Sequence, residues 1–259
     1  DLTYHKPGFI ARMLPALYET YRKLGIDPEK DYFEVAPTCH FFMGGGTVSE
    51  NWETTKTGLF IVGENAAGIQ GANRLGQNAL PELLVSGQHA GKTAAQLSKE
   101  IDPLPIDPKE AHTVVQIVDK LFARETGVRP IQFRKKLQET MWDKVGVRRT
   151  ETGLRKALAE LEGMSEELQE QCLQSKSKRY NRELVEGLEN QFLLLTAKCV
   201  TETALQRKES RGSHFREDHP ESDDRNWLKH TSIRLQGQRL RTDTIPVDLR
   251  EMRPEEEVR

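Results

Sequence analysis

A short apolar run at residues 58–64, GLFIVGE, constrains the fold of this chain more than any other segment. It ends in Gly-Glu, and the glycine-punctuated loop NAAGIQGANRLGQN follows it directly. Residues 79–97 then repeat small and apolar residues, such as Leu83 and Ala90, at helical spacing, which allows close packing against a sheet. A buried strand, a glycine loop and a helix in this order suit a nucleotide site, with functional residues at the C-terminal end of the strand.

The segments before this unit predict a helix and a strand. Apolar side chains recur at helical spacing between residues 7 and 24, and Gly25 ends that pattern. The stretch YFEVAP, residues 32–37, is a candidate strand. After it comes CHFFMGGG, in which His40 precedes a methionine and three glycines. Glycine runs often cradle phosphate, but no strand–loop–helix start of a nucleotide site precedes this one.

Beyond the proline-rich segment IDPLPIDP, residues 101–108, the pattern becomes helical, and we place a domain boundary there. Amphipathic periodicity predicts four helices, at residues 111–121, 131–144, 151–161 and 182–206. In the last of them one apolar stripe repeats at the spacing of helix-bundle packing, and we expect it to face the core. The stripe consists of Leu184, Leu188, Phe192, Leu195 and Cys199.

The C-terminal part changes character twice. Residues 209–227 are dense in charge and have no period, so we expect a loop. Residues 230–249 alternate enough to predict one or two strands. The tail PEEEVR is expected to fray.

The composition excludes several classes of function. The chain is 36% hydrophobic and 30% charged with a net charge of −2, which indicates a soluble globular protein and gives no general case for nucleic-acid binding. Cys39, Cys172 and Cys199 are too far apart for a zinc motif or a disulfide framework, so a reducing compartment fits. No signal peptide, no apolar run long enough to span a bilayer and no metal-binding histidine spacing is present in the sequence.

Several polar residues are suited to chemistry, and each has a plainer alternative. Glu64 can accept hydrogen bonds from ribose or ribityl hydroxyls, and the helix that begins near Asn78 directs free N–H groups toward an anion. Arg74 offers a bidentate fork for a carboxylate, but a surface ion pair is the default. His40 can donate to an anionic substrate or make a structural hydrogen bond. Since GxGxxG is absent, a plain glycine-rich turn also stays open.

Five motifs in a fixed order carry a resemblance that none of them carries alone. They are PTCHFFMGGG, GLFIVGENAAG, GANRLGQNALPELLVSGQHAG, DKVGVRRTETGL and RKESRGSHFREDHPESDDRNWLKHT. Over residues 1–231 they resemble the C-terminal half of the flavoprotein subunit of succinate dehydrogenase and fumarate reductase. L-aspartate oxidase and adenylylsulfate reductase flavoproteins are relatives, but the charged stretch ending in NWLKHT favours the succinate and fumarate branch.

The resemblance implies a mixed fold, α+β or α/β, in four parts. Residues 1–37 would be the end of a capping domain, and residues 38–100 the C-terminal part of a Rossmann-like FAD-binding domain. Residues 107–207 would form a helical bundle domain, and residues 208–259 a charged loop with a small C-terminal β segment.

The resemblance also implies roles for individual residues. His40 and Arg74 would bind a dicarboxylate substrate. The residues that would contact FAD are Glu64, Asn78, Ala79 and Leu80. No catalytic residue is assigned, because the proton-shuttling arginine of the family is expected upstream of this chain, and no metal ligand is assigned either.

The chain departs from the family pattern at two positions and in its extent. Gln70 stands where a histidine usually precedes GANRLG, and Ala79 stands where a serine usually follows the asparagine. Glutamine can hydrogen-bond but cannot carry charge. The chain starts at Asp1, after the expected place of the dinucleotide fingerprint, which favours a fragment of a longer subunit over a natural split half. In either case we expect it to be inactive alone.

The function implied by the resemblance is part of an oxidoreductase of electron transport that interconverts succinate and fumarate by hydride transfer to or from FAD. Its partners would be the dicarboxylate, the missing N-terminal half, an iron–sulfur subunit and membrane-anchor subunits. The expected location is cytoplasmic, or peripheral on the inner face of the membrane through those subunits. One alternative is a non-catalytic assembly or interaction protein, which Gln70 and Ala79 favour and which the intact His40, Glu64 and Arg74 oppose. Another is a related flavoprotein such as L-aspartate oxidase or adenylylsulfate reductase.

Overall fold

Residues 1–102, 107–237 and 239–249 are described by a computed structural model, and they fall into two units. The first unit comprises residues 1–40 and the second begins at residue 41. In both units most of the regular structure is helical, as the amphipathic periodicity of the sequence predicts.

The first unit contains two short helices where the sequence predicts one. They are α1 (Phe9–Met13) and α2 (Pro15–Lys23). Pro15 has no backbone N–H and restricts the residue before it, so Leu14 takes an extended φ of −133° and the helix is interrupted there. The prediction of one continuous helix over residues 7–24 is therefore wrong at a single proline.

A glutamate that lies 19 residues beyond Ile10 in sequence caps the start of α1. Glu29 accepts the backbone N–H groups of Gly8 at 2.8 Å, Ile10 at 3.0 Å and Ala11 at 3.3 Å. These groups have no acceptor within the helix itself. The same hydrogen bonds, led by that from Gly8, lower the pKa of the Glu29 carboxyl.

Neither of the two strands predicted before residue 65 forms. Residues 32–37 have no regular secondary structure. The run at residues 58–64 makes one isolated antiparallel bridge, Phe60 to Glu53, and then enters a 3-10 helix at Gly63–Asn65. A strand needs neighbours to satisfy its backbone, and the described residues supply none here, so the side chain of Leu59 is 51% exposed. The sequence identifies this run as apolar, but pairing decides whether it becomes a strand.

The helix predicted at residues 79–97 is confirmed as α3 (Ala79–Glu100). Its only fully buried residues are Ser86 and Ala90, whereas Leu84 and Val85 are both about two-thirds exposed. The sheet that we expect beside its apolar face is not formed by the described part of the chain. This face is therefore a large uncovered apolar surface of the second unit.

Four longer helices follow, each overlapping a predicted range. They are α4 (Pro108–Ala123), α5 (Pro130–Val145), α6 (Glu151–Gln169) and α7 (Arg182–Gln206). Side chains cap three of them: Asp107 accepts the N–H of Lys109 at 2.8 Å, Thr150 that of Gly153 and Asn181 that of Leu184, both at 3.1 Å. Residues 103–106 of the predicted linker lie outside the described residues.

The core of the second unit lies between α5, α6 and α7. Its larger cluster consists of Phe133, Leu137, Leu161, Met164, Leu194 and Ala197. A second cluster contains Val145, Leu154, Ala157 and Ala204. In both clusters α5, α6 and α7 each contribute side chains, and the small residues Ala157, Ala197 and Ala204 let the helices approach closely.

The apolar stripe predicted as the core face of α7 is wrong. Phe192 is 70% exposed and Leu195 is 43% exposed. The face that packs inward instead carries Asn190, Leu194, Ala197, Thr201 and Ala204. Because α7 is apolar on two sides, its periodicity alone does not identify the buried one, and packing selects the side with smaller residues.

The C-terminal part ends in a two-stranded antiparallel hairpin. Residues 207–223 form turns, followed by the short helix α8 (Asp224–Trp227) and the strands β1 (Lys229–Gln236) and β2 (Arg239–Pro246). Leu235 pairs with Leu240 next to the turn. The predicted strands are thus confirmed, and the predicted loop contains one helical turn. The tail PEEEVR lies outside the described residues.

Candidate functional site

The glycine triplet lies against the segment that contains Glu64. Gly46 donates its N–H to the carbonyl of Asn65 at 2.8 Å and accepts the N–H of Ala67 at 3.0 Å. A Cβ atom on Gly45 would lie 2.0 Å from the Asn65 carbonyl oxygen, and one on Gly46 would lie 2.3 Å from the Cδ1 atom of Ile61. Gly45 is required because backbone packs against backbone at its positive φ of 148°, whereas the end of the Ile61 side chain can shift to admit a Cβ on Gly46.

A hydrogen bond from the backbone joins the CHFFMGGG and GLFIVGE motifs. The Oε1 atom of Glu64 accepts the N–H of Phe42 at 2.8 Å. Glu64 is exposed, so its carboxylate stays accessible to a ligand. The bond fixes the side chain in one orientation, which suits a carboxylate that recognises hydroxyl groups.

Arg74 is placed by an aromatic ring rather than by polar partners. Its guanidinium carbon lies 4.7 Å from the centre of the Phe41 ring, a cation–π arrangement. Its Nε atom is shielded from solvent and has no hydrogen-bond partner among the described residues. Unpaired buried donors are rare in folded proteins, so this one indicates a partner that is not part of the described chain. Arg74 forms no ion pair with any described residue, so the surface ion pair considered from the sequence is not observed.

The N-terminus of α3 is left open. Asn78 stands at its N-cap position but makes no side-chain cap, and its Nδ2 atom donates to Oε1 of Gln70 at 3.0 Å. The N–H groups of Ala79 and Leu80 fall in the first turn, where helices have no internal acceptor. The helix start therefore presents positive partial charge without a side-chain cap.

The hydrogen bond to Asn78 fixes the Gln70 amide through its oxygen and leaves the amide nitrogen without an acceptor. Its Nε2 atom is buried and has no partner in the described structure, and the same holds for Oε1 of Glu82 in the first turn of α3. The Nε of Arg74, four residues before Asn78 in the sequence, is a further buried polar atom without a partner among the described residues. The open helix terminus and the unpaired donors suit an anionic group, and the exposed carboxylate of Glu64 suits a group that carries hydroxyls.

His40 and Arg74 belong to different units, so their predicted cooperation stays a prediction. His40 is exposed and is the last residue of the first unit, and its covalent neighbour Phe41 opens the second. Of the predicted site residues, the second unit contains Glu64, Arg74 and the α3 start. The relative positions of Glu64, Arg74 and the α3 start can therefore be described, because all of them belong to this one unit.

One contributor to this region escapes sequence reasoning. Ser213 donates its N–H at 3.0 Å and its Oγ at 3.2 Å to the carbonyl of Ala72, two residues before Arg74. The two residues are 141 positions apart in the sequence. The glycine of RGSH was the available signal for a tight turn, but no periodicity or composition indicates a contact over that distance.

A charged network holds this turn. Glu209 is fully buried and is ion-paired to both Arg207 and Arg211. Burial opposes its charge, but hydrogen bonds from Arg211, from the backbone of Asp223 and from Arg207 outweigh that effect and lower the pKa of the Glu209 carboxyl. The network therefore fixes the backbone on both sides of the turn.

Arg216 closes the C-terminus of α7. It is fully buried, its Nη1 donates to the carbonyls of Ala204 at 3.0 Å and Leu205 at 3.2 Å, and its other nitrogens bind Asp218 at 2.7 and 2.9 Å. The guanidinium of Arg216 holds the pKa of Asp218 well below its usual range. Carbonyl groups at a helix end lack internal donors, so this arginine satisfies them.

His214 lies between cationic groups and stays neutral. Its Nδ1 accepts from Arg149 at 3.0 Å, so its Nε2 carries the proton and donates to the carbonyl of Arg207 at 3.2 Å. Burial, with Arg149, Arg207 and Arg216 nearby, lowers the pKa of His214 to about 4.

Within residues 1–102, 107–237 and 239–249, no three histidine, cysteine, aspartate or glutamate side chains group as metal ligands would. None of the helices described there combines the length and apolar character that crossing a bilayer requires.

Two profiles of known protein families match this chain, one in its N-terminal third and one in its C-terminal half. A profile described as "FAD binding domain" matches residues 4–80, and one described as "Fumarate reductase flavoprotein C-term" matches residues 134–259. The FrdA chain of a mutated E. coli quinol fumarate reductase superposes with a TM-score of 0.89 at 31% identity, covering 99% of this chain and 45% of that one. In sequence and fold the chain corresponds to the C-terminal part of the flavoprotein subunits of fumarate reductase and succinate dehydrogenase. The mixed fold implied by the sequence motifs is confirmed by this superposition.

Curated relatives of this flavoprotein chain include proteins named for either direction of the reaction. The fumarate reductase flavoprotein subunit of Proteus vulgaris is 36% identical over 237 residues, covering 89% of this chain and 40% of the relative. The succinate dehydrogenase flavoprotein subunit of Rickettsia bellii is 33% identical over 243 residues, covering 89% of this chain and 41% of the relative. The flavoprotein chain thus spans less than half the length of these relatives.

Proposed function

We propose that this chain is part of an FAD-dependent oxidoreductase that interconverts succinate and fumarate. The observation that carries the proposal is the Arg74 guanidinium, which is held against Phe41, makes no hydrogen bond to the described protein and precedes the open start of α3 by four residues in the sequence. A cation that lacks a protein partner, next to a helix N-terminus, is suited to bind a carboxylate.

The cofactor contacts would come from the second unit. Glu64 would accept hydrogen bonds from hydroxyl groups of FAD, and the N–H groups of Ala79 and Leu80, with Asn78, would face the flavin. FAD, when bound, takes up or gives the hydride of the succinate–fumarate pair. The positive end of α3 would stabilise negative charge at its N-terminus.

The substrate contacts would come from Arg74 and His40. Arg74 would hold one carboxylate in a fixed orientation, and His40 would donate to the dicarboxylate as well. Holding the substrate this way reduces the entropic cost of reaching the reactive geometry and polarises the carboxylate. No residue of this chain is assigned to proton transfer.

The partners that the family resemblance implies are proposals for this chain. An N-terminal half would complete the FAD site, an iron–sulfur subunit would exchange electrons with the flavin, and membrane-anchor subunits would hold the assembly at the inner face of the membrane. The uncovered apolar face of α3, with Leu84 and Val85 exposed, is suited to meet the completing half.

The test is to produce this chain together with the N-terminal half of the flavoprotein and to measure flavin absorbance and fumarate-dependent oxidation of a reduced dye. Arg74→Ala should lower kcat/KM for fumarate on the order of 10²-fold, because the lost carboxylate contact is charge-assisted. Arg155→Ala is the matched control, since Arg155 is 65% exposed on α6 and, among the described residues, pairs only with Glu151. A colourless, inert assembly would refute the proposal in favour of a non-catalytic protein.

A further inference from the structure

We propose that the turn formed by Gly212 and Ser213 positions Arg74, so that the C-terminal segment is a working part of the ligand site. The inference rests on the proposed function of Arg74, but its structural half can be measured separately. Three observations support it: the contact between the turn and the Arg74 loop, the rigidity of the turn, and the lack of other polar restraints on Arg74.

The contact is close and leaves room only for glycine. Both the N–H and the Oγ of Ser213 donate to the carbonyl of Ala72. A Cβ on Gly212 would lie 2.3 Å from the Ala72 carbonyl oxygen and 2.9 Å from the Cβ of Asn73. Gly212 also has a φ of +58°, which other residues adopt with strain. Any side chain at this position must therefore displace the loop that leads to Arg74.

The residues that flank the turn, Arg211 and His214, hold it in place through hydrogen bonds. Arg211 and His214 exchange backbone hydrogen bonds of 2.8 and 3.0 Å, which close a two-residue hairpin. Arg211 then binds both carboxylate oxygens of the buried Glu209 at 2.9 Å, and His214 bonds to Arg149 at 3.0 Å. A rigid turn transmits its own placement to the carbonyl that it binds.

The position of the Arg74 side chain depends mainly on the path of its backbone, because few contacts restrain the side chain itself. Its guanidinium makes no hydrogen bond or ion pair to the described protein, and its one described side-chain restraint is the Phe41 ring. The carbonyl of Ala72, two residues earlier, is the point at which the loop is fixed to the C-terminal segment. A shift of this carbonyl would move the cation relative to its ligand, and small misplacements of such groups are costly to binding and turnover.

The experiment compares Gly212→Ala with Gly237→Ala in the assembled flavoprotein. Gly237 has a similar φ of +63°, but nothing lies within 4 Å of a Cβ there, so it reports the backbone strain alone. We expect Gly212→Ala to speed amide hydrogen exchange in residues 69–78 and to weaken fumarate binding about 10-fold or more, measured by perturbation of the flavin spectrum. Gly237→Ala should change neither quantity.

Ser213 supplies a second, gentler variant. Ser213→Ala removes the Oγ hydrogen bond and keeps the backbone one, so we expect fumarate binding to weaken roughly three- to tenfold. Ser213→Thr retains the hydroxyl on an exposed residue and should restore binding. If Gly212→Ala fails to fold, this pair decides the question.

Different outcomes test the positioning role of the Gly212–Ser213 turn and the substrate-binding role of Arg74 separately. Unchanged exchange in residues 69–78, or unchanged fumarate binding in both the Gly212 and Ser213 variants while Arg74→Ala abolishes it, overturns the positioning role alone. If Arg74→Ala also binds fumarate normally, the proposed substrate site itself is wrong. Faster exchange together with weaker binding, in the Gly212 or Ser213 variant only, supports the inference.

Discussion

At the scale of single residues, the site depends on groups that the protein leaves unsatisfied. Arg74, Gln70 and Glu82 each bury a polar atom that has no partner in the described chain. The residue types suggested a ligand for Arg74, because guanidinium groups match carboxylates. They did not suggest Gln70, whose amide orientation is set by its bond to Asn78 and becomes visible only in three dimensions.

The glycine triplet gives a residue-scale prediction about stability. Gly45→Ala should reduce the free energy of unfolding by about 2 kcal/mol more than Gly44→Ala, because its Cβ would overlap the Asn65 carbonyl at 2.0 Å. Gly44 has a similar positive φ, but its nearest neighbour to a Cβ is 3.5 Å away. Urea unfolding of the two variants measures the difference, and equal stabilities would contradict the backbone contact.

His214 gives a second residue-scale prediction, about acid. Its pKa is lowered to about 4 from an ordinary 6.5, so the unfolded chain binds a proton that the folded chain excludes. Stability should therefore fall as the pH decreases from about 6.5 toward 4, by on the order of 2 kcal/mol for this residue.

The control for that prediction keeps the hydrogen bonds and removes the titration. His214→Gln can accept from Arg149 and donate to the carbonyl of Arg207, so its stability should vary less with pH over this range. His112→Gln, at an exposed position of α4, should keep the full dependence. Identical pH profiles for the wild type and His214→Gln would contradict the neutral, buried state.

At the scale of elements, α7 illustrates what periodicity does and does not determine. Its bounds, Arg182–Gln206, coincide with the predicted ones. Its buried face does not, because Leu193, Leu194 and Leu195 follow one another and make two sides apolar. The inward side is selected by small residues and by the polar Asn190, which a hydrophobic pattern assigns to the surface.

Asn190 and Phe192 therefore provide an element-scale prediction. From residue type alone, replacing the phenylalanine should destabilise the protein more than replacing the asparagine, and the structure predicts the reverse. Asn190→Ala should cost about 2–4 kcal/mol of stability, because it leaves the carbonyl of Pro130 and the side chains of Gln171 and Arg134 without their partner. Phe192→Ala should cost less than about 1 kcal/mol, since the ring is largely exposed. Thermal or urea unfolding of this chain decides between them, and the reverse order would restore the predicted stripe as core.

At the scale of the whole molecule, sequence reasoning succeeds where structure is local. The helices and the C-terminal hairpin follow from periodicity and turn residues, because their hydrogen bonds close over a few positions. The strand predicted at residues 58–64 fails, because a strand depends on neighbours that the described residues do not provide. The motifs indicate the family, and through it the residues that we propose as ligand-binding, but they give no sign of the contact from Ser213 to Ala72.

The uncovered face of α3 yields a prediction for the assembled protein. Leu84→Asp should reduce co-purification with the N-terminal half about tenfold, because burying an unpaired carboxylate in an apolar interface is unfavourable. Leu235→Asp, at a 57% exposed position of the hairpin, serves as the control and should leave co-purification intact. Equal recovery of the two variants would argue against α3 as the contact surface.

The bond between Ser213 and Ala72 also dictates an order of events during synthesis. Residues 72 and 213 can meet only after the intervening helices have been made, and closing so long a loop is entropically unfavourable until those helices are packed. The loop that carries Arg74 leaves the ribosome early but acquires its final anchor late. A chain interrupted before residue 213 would have every predicted ligand residue and still lack a fixed site.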